Sequence, residues 1–198
     1  MSSQDNKINN EETINLVKKF IASNQRKRRI LINDIESSSE SLLAVGEEIV
    51  KYVDREGDDW SIGWILQVLK KHQPNFFDND IYNKWFFTNS AIDLKYDDLQ
   101  LNLLNQNFEE ADRLTSAYLR KLAGKVAENR GYVFYSEVKN MPSEDLVTID
   151  RLWNIYSQGK FGFSNQAKLL KSVGKRYDLL WPKIGWKKDG IWTRYPSS

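Results

Sequence analysis

Apolar residues recur every three to four positions along nearly the whole chain, which predicts an all-α protein. Ile14, Val17 and Ile21 set one amphipathic helix over Glu11 to Asn24, after a disordered start. A basic knot, Arg26 to Arg29, follows and reads as a solvated helix end, since Lys and Arg favour a C-terminal turn. Leu42, Leu43, Val45, Ile49, Val50 and Val53 predict a second helix over Ser39 to Val53. Asp58 and Asp59 then cap a third, which buries Trp60, Ile62, Trp64, Ile65, Val68 and Leu69, ends with His72 in its last turn and is stopped by Pro74. An aromatic stretch from Phe76 to Phe87 reads as core and closes this half near Asn89.

The pattern resumes with a short helix marked by Tyr96, Leu99, Leu101, Leu103 and Leu104. Asn107 and Glu110 have the spacing of a capping box opening the next helix, which buries Phe108, Ala111, Leu114, Ala117, Tyr118 and Leu122 and stops at Gly124. A compact aromatic loop covers 131–135. Ser143 is placed as the cap of a helix carrying Leu146, Ile149, Leu152, Trp153 and Tyr156 inward. Ser164 is placed as the cap of another running to about Trp181. An Asp-Gly turn at Asp189 and Gly190, between Trp186 and Trp192, predicts a small hairpin.

Composition narrows the chemistry. The 198 residues are 40% hydrophobic and 13% aromatic, enough for a core without covalent staples. With no cysteine, disulfides, thiolate metal sites and cysteine nucleophiles are excluded; a single histidine, His72, excludes a multi-histidine metal site. The adjacent acids Asp97–Asp98 and Glu109–Glu110 read as first-turn residues rather than an acid/base pair. The glycines at 159 and 162 lack the Gly-Lys-Ser/Thr ending of a phosphate loop. The opening MSSQDNKINNEE has no apolar targeting segment, so a soluble protein that stays where it is made is expected.

Net charge is only +2, but it is unevenly placed. Beyond Gly159 there are nine bases against Asp178 and Asp189 alone, beside Trp181, Trp186 and Trp192. Cations next to large flat rings suit an anionic ligand with a flat apolar body, and both nucleic-acid bases and porphyrins fit that description.

A set of motifs then carries a resemblance. The segment NFEEAD from Asn107 to Asp112 is followed by Thr115, Pro142, Asp145-Leu146 and Thr148-Ile149-Asp150. Leu152-Trp153, Tyr156-Ser157, GKFGFS from Gly159 to Ser164 and Gln166 complete it. Together these resemble the core of the genomes-uncoupled-four family, the porphyrin-binding activators of magnesium chelatase, over roughly Tyr96 to Tyr195. The first half resembles the helical N-terminal extension of cyanobacterial and plastid-encoded members.

The resemblance implies an N-terminal helical domain (1–89) and an all-helical porphyrin-binding core (90–198) with a concave apolar surface. The implied ligand is protoporphyrin IX or its magnesium form, and the implied partner is the large subunit of magnesium chelatase. The expected role is that of a regulator of chlorophyll synthesis rather than an enzyme: a monomer in the plastid stroma or a cyanobacterial cytoplasm, with at most a peripheral membrane contact and no nucleic-acid partner. For the walls of the site we select Tyr132, Val133, Phe134, Trp181, Ile184, Trp186 and Trp192. Lys187, Lys188 and Arg194 are selected to meet the propionates. Asp112, Thr115, Asp150 and Trp153 are expected to hold helices together; Phe161 and Phe163 are open to either the core or the site, with the core favoured. Family members continue past the position of Tyr195 with a Gly-His-Leu-Pro segment that helps close the pocket; here Pro196-Ser197-Ser198 follows, so part of that lid is expected to be missing. Two other readings stay open: a helical adaptor that binds only protein, and a single-strand nucleic-acid binder whose signature is steep salt dependence.

Overall fold

The computed structural model describes residues 3–72 and 86–193, which form twelve helices and one two-stranded hairpin. Of the aromatic stretch predicted from Phe76 to Phe87, residues 76–85 lie outside the described residues, as does Arg194; Phe86 is buried as expected, whereas Phe87 is half exposed, its ring under the Arg55 guanidinium rather than in the core.

Helix α1 (Ser3–Ala22) starts well before the expected Glu11. The apolar repeat marks only its packed part; the polar residues ahead of Glu11 include no Gly or Pro to stop it. Val17 and Phe20 are fully buried. Helix α2 (Gln25–Ser37) is capped by Asn24, whose side chain accepts from the Lys27 N–H at 3.0 Å. The basic knot therefore occupies the first turn of a helix, not the expected last turn. Its charge still serves a helix C-terminus, but that of the neighbour: Arg28 donates to the carbonyls of Phe20 and Ile21 at the end of α1. The same guanidinium holds Asp59 with two bonds of 2.6 and 2.7 Å.

The helix expected over Ser39 to Val53 is two short ones, α3 (Ser39–Ala44) and α4 (Gly46–Val50), divided at Val45, whose φ of −112° and ψ of 10° leave the helical region just ahead of Gly46, a poor helix former. Helix α5 (Trp60–His72) follows the expected span, and Asp59 accepts from the Ser61 N–H at 2.9 Å.

Helices α6 (Asp97–Leu104), α7 (Phe108–Leu122) and α10 (Ser143–Tyr156) frame the second half. The expected capping box at α7 does not form: Asn107 makes no side-chain cap bond, and Glu110 turns to Arg113 at 2.5 Å. Pro142, not Ser143, is the N-cap of α10, and it too provides no side-chain bond.

Helix α5 lies directly against α10, so one apolar cluster draws residues from both halves, including Phe20, Ile35, Leu66, Leu103, Leu152 and Ile155. Buried polar groups inside it are matched. The Gln67 amide donates to the carbonyls of Leu103 and Tyr156 at 3.0 and 2.8 Å. Tyr96 donates to Asp145 at 2.7 Å, and burial followed by that carboxylate pushes its hydroxyl far above the ordinary range, so it remains a donor. These satisfied groups fix the register of α6 and α10, the two helices that carry the rest of the second half.

Short helices α8 (Lys125–Arg130) and α9 (Tyr135–Val138) flank the aromatic loop. Beyond α10, the single helix expected from Ser164 to Trp181 is broken into α11 (Phe163–Ser172) and α12 (Tyr177–Lys183). Gly174 and Lys175 between them both have positive φ, which no helix continues through. Strands β1 (Lys187–Lys188) and β2 (Ile191–Trp192) form the expected hairpin, with Asp189 and Gly190 at φ 52° and 83° as the left-handed pair that a tight type I′ turn requires.

Candidate functional site

The turn before α11 shows how the signature residues act locally. Gly162 has φ +119°, and a Cβ there would lie 2.6 Å from an Asp150 carboxylate oxygen. That close approach lets Asp150 accept from the Ser164 N–H at 3.0 Å, so the cap of α11 comes from α10 and not from Ser164. Asn154 and Asn165 close the turn through a 2.6 Å bond. Trp153 donates to Thr115 at 3.0 Å, tying α10 to α7. Asp150, Thr115 and Trp153 thus hold helices together. Phe161 and Phe163 do not take the favoured core placement: they are 48% and 38% exposed, Phe161 with its edge on Phe108 and Trp153. The turn uses Gly162 to pack its backbone against α10, and this holds both rings at the surface.

The C-terminal segment builds an aromatic row. On α12, Tyr177 and Trp181 are one helical turn apart on the same face, with ring centroids 6.4 Å apart. The hairpin folds back along the end of α12 through the Trp186 N–H, which donates to the Trp181 carbonyl at 2.9 Å. Thr193 then joins Trp186 and Gly185 at 3.0 and 2.6 Å. This places Trp192 against Trp181 with centroids 4.7 Å apart. Lys187 pairs across the strands with Trp192, and its ammonium lies 5.8 Å from the Trp181 ring centre and 5.5 Å from that of Trp192. Tyr177, Trp186 and Trp192 are each half exposed or more, while Ile184 is partly covered. Lys188 pairs with Ile191 on the other face of the hairpin.

The loop before α9 is a second aromatic feature. Tyr132 and Phe134 stand edge to face at 5.3 Å, each about half exposed, and Val133 packs on the core. The Arg130 guanidinium lies over both rings, 4.6 and 4.0 Å from their centres. It also bonds the Tyr132 carbonyl and, at 2.6 Å, Glu137, which in turn accepts from the Phe134 N–H at 2.7 Å. The Phe134 amide first, and Arg130 second, hold the Glu137 carboxyl below its ordinary range.

The selected residues therefore fall into two groups, Trp181, Lys187 and Trp192 in one and Tyr132 and Phe134 in the other. Among the described residues no ring contact or hydrogen bond joins them. Tyr177, Arg130 and Glu137 belong beside them and were not selected. Tyr177 was legible as the partner of Trp181 four positions on; the Arg130–Glu137 pair spans a loop and carries no periodic signal. Two open cavities, of about 820 and 610 Å³, lie elsewhere. The larger is lined by Phe108, Asp112 and Arg120 among others, and burial raises the Asp112 carboxyl above its ordinary range. Among the described residues no cluster of three or more His, Asp or Glu is placed to hold a metal, and no helix is long and apolar enough to cross a membrane.

The family model for GUN4-like proteins matches residues 89–198, more than half of the chain. The chain belongs to the GUN4-like family. A Ycf53-like protein from Synechocystis is 37% identical over 152 residues, covering 75% of this chain and 65% of its own length. The chloroplastic tetrapyrrole-binding protein of Arabidopsis thaliana is 44% identical over 93 residues, covering 47% of this chain and 35% of that relative. The chain thus spans less than two thirds of these curated relatives. The solved structure of GUN4 from Chlamydomonas reinhardtii superposes with a TM-score of 0.53 at 34% identity, over 56% of this chain and 72% of that one. The helical architecture of this family is therefore the architecture of the second half described above.

Proposed function

We propose that this GUN4-like chain binds protoporphyrin IX or magnesium protoporphyrin IX and stimulates magnesium chelatase without catalysing a reaction itself. The observation that carries the reading is the row Tyr177, Trp181 and Trp192, its two ends more than half exposed and a cation over both tryptophans, in a family whose Arabidopsis relative is named for tetrapyrrole binding. A solvent-exposed cluster of large rings is unfavourable unless something covers it. The walls we assign are Trp181, Ile184, Trp186 and Trp192, with Tyr132, Val133 and Phe134 completing the site and Lys187 meeting the propionates; Lys188, on the other face of the hairpin, is no longer assigned there, and Arg194 lies outside the described residues.

The magnitudes suffice. Covering on the order of 300 Å² of apolar surface at about 25 cal/mol/Å² contributes roughly 7 kcal/mol. Each charge-assisted contact to a carboxylate adds ~1–3 kcal/mol, and association costs offset part of the sum. Micromolar or tighter binding follows. The setting is the plastid stroma or a cyanobacterial cytoplasm, in line with the origins of the relatives. The segments 1–89 and 90–198 act as an extension and a binding domain within one monomer, and the large chelatase subunit is the partner that receives the porphyrin.

Replacing Trp186 and Trp192 with alanine tests the site. Porphyrin affinity is expected to fall tenfold or more while far-ultraviolet circular dichroism stays unchanged; unchanged affinity removes these residues from it. A second reading, a protein-only adaptor, is favoured by the Tyr135 ring, which is 95% exposed beside Phe134. Capture of the chelatase subunit that is identical with and without porphyrin would select that reading.

A further inference from the structure

The Lys187 side chain has no carboxylate partner among the described residues, although it is partly buried. Its charge is met instead by the faces of Trp181 and Trp192, at 5.8 and 5.5 Å. The next lysine, Lys188, points to the opposite face of the hairpin with Ile191 and is exposed. Only one of the two adjacent cations is therefore folded onto the ring surface that a flat ligand would need.

We infer that Lys187 is the specificity-determining residue of this site: it covers the tryptophan faces until a carboxylate on the ligand draws it off. The inference rests on the tetrapyrrole reading above and adds selectivity to it. A flat ligand without acid groups must displace the ammonium from the rings and leave it unpaired, losing the cation–π contact for nothing in return. A dicarboxylate ligand displaces it and pairs with it in the same movement. The exchange stays local because Lys187 sits on a two-residue strand and swings about its own side chain, while Trp192, directly opposite, holds the backbone in register. Recognition of acidic porphyrins over their esters thus comes from a penalty on the neutral ligand as well as from attraction to the charged one.

The test is a titration of the full chain with deuteroporphyrin IX and with its dimethyl ester, which differ only at the two carboxylates. Wild type should prefer the diacid. In Lys187→Ala the diacid should bind about tenfold or more weakly, as expected for a lost charge-assisted contact. The ester should bind about two- to fivefold more tightly, because the ring faces are now bare. Lys187→Arg, which keeps a cation able to stack, should restore the wild-type preference, and Lys188→Ala should not tighten the ester. Equal losses for both ligands in Lys187→Ala would make the lysine a mere support of the hairpin and overturn the inference. So would unchanged binding of both. Failure of wild type to bind either porphyrin would overturn the tetrapyrrole reading itself, a result read before any variant is made.

Discussion

Gly63 of α5 and Ile155 of α10 cross so closely that a Cβ on the glycine would lie 2.4 Å from the Ile155 carbonyl oxygen. This crossing is where the first half of the chain meets the helix that carries much of the family signature. Because the obstacle is backbone, it has no side-chain rotamer by which to give way. Gly63→Ala is expected to cost about 1–3 kcal/mol through overpacking, or ~2–12 °C in Tm, measured by thermal or urea unfolding. An unchanged midpoint would show that the two helices separate freely.

Arg28 and Asp59 hold a second joint, between α1, α2 and α5. The guanidinium satisfies two carbonyls of α1 and both oxygens of Asp59, and its side chain is 12% exposed. Arg28→Ala should destabilise by about 1–3 kcal/mol, since the partners stay behind unpaired. Arg28→Lys should recover little of it, because an ammonium cannot reproduce the two-pronged geometry. A double-mutant cycle with Asp59→Asn should show coupling between the positions, and full additivity would contradict the joint.

Much of this was legible in the sequence, for physical reasons that differ between elements. The buried face of α5, the hairpin turn at Asp189-Gly190 and the helical class depend on local periodicity and turn chemistry, which sequence carries directly. The extent of α1, the division ahead of Gly46 and the break at Gly174-Lys175 depend on positions where polar or permissive residues decide, and apolar spacing is silent there. Caps were harder still. The N–H at Ser164 is met by Asp150 from another helix, fourteen residues away, whereas a local rule looks only to neighbours. At the site, the tryptophans stood out by type, yet the cation over their faces and the Arg130–Glu137 pair behind the loop arise from tertiary placement.

That pair makes the 132–135 loop sensitive to acid. The folded-state pKa of Glu137 is depressed, so its contribution is fully present above the ordinary glutamate range and is lost as pH falls through the lower folded value. The protection of the Phe134 amide against hydrogen exchange, relative to its intrinsic rate at each pH, should therefore fall below about pH 4.5. In Glu137→Gln the loop should already be looser at pH 7 and show no such added step. An acid step of the same size in both proteins would assign the effect to another group.

Asp112 carries the opposite sign. Burial raises its carboxyl pKa, so the folded state disfavours the charged form and stability declines as pH rises through the carboxylate range. Asp112→Asn should therefore raise Tm at pH 7, and the gain should vanish near pH 3, where the carboxyl is protonated folded and unfolded alike. A loss of stability at pH 7 would show that the folded state favours the charged carboxylate and would contradict this sign.

Porphyrin binding by the tryptophan row is the property on which the proposed function depends most directly. Titrating the purified chain with protoporphyrin IX and magnesium protoporphyrin IX, and following tryptophan fluorescence, measures this. Saturable quenching with a Kd of about 1 μM or below is the expected result. Linear, unsaturated quenching that free tryptophan reproduces at the same concentrations would contradict it.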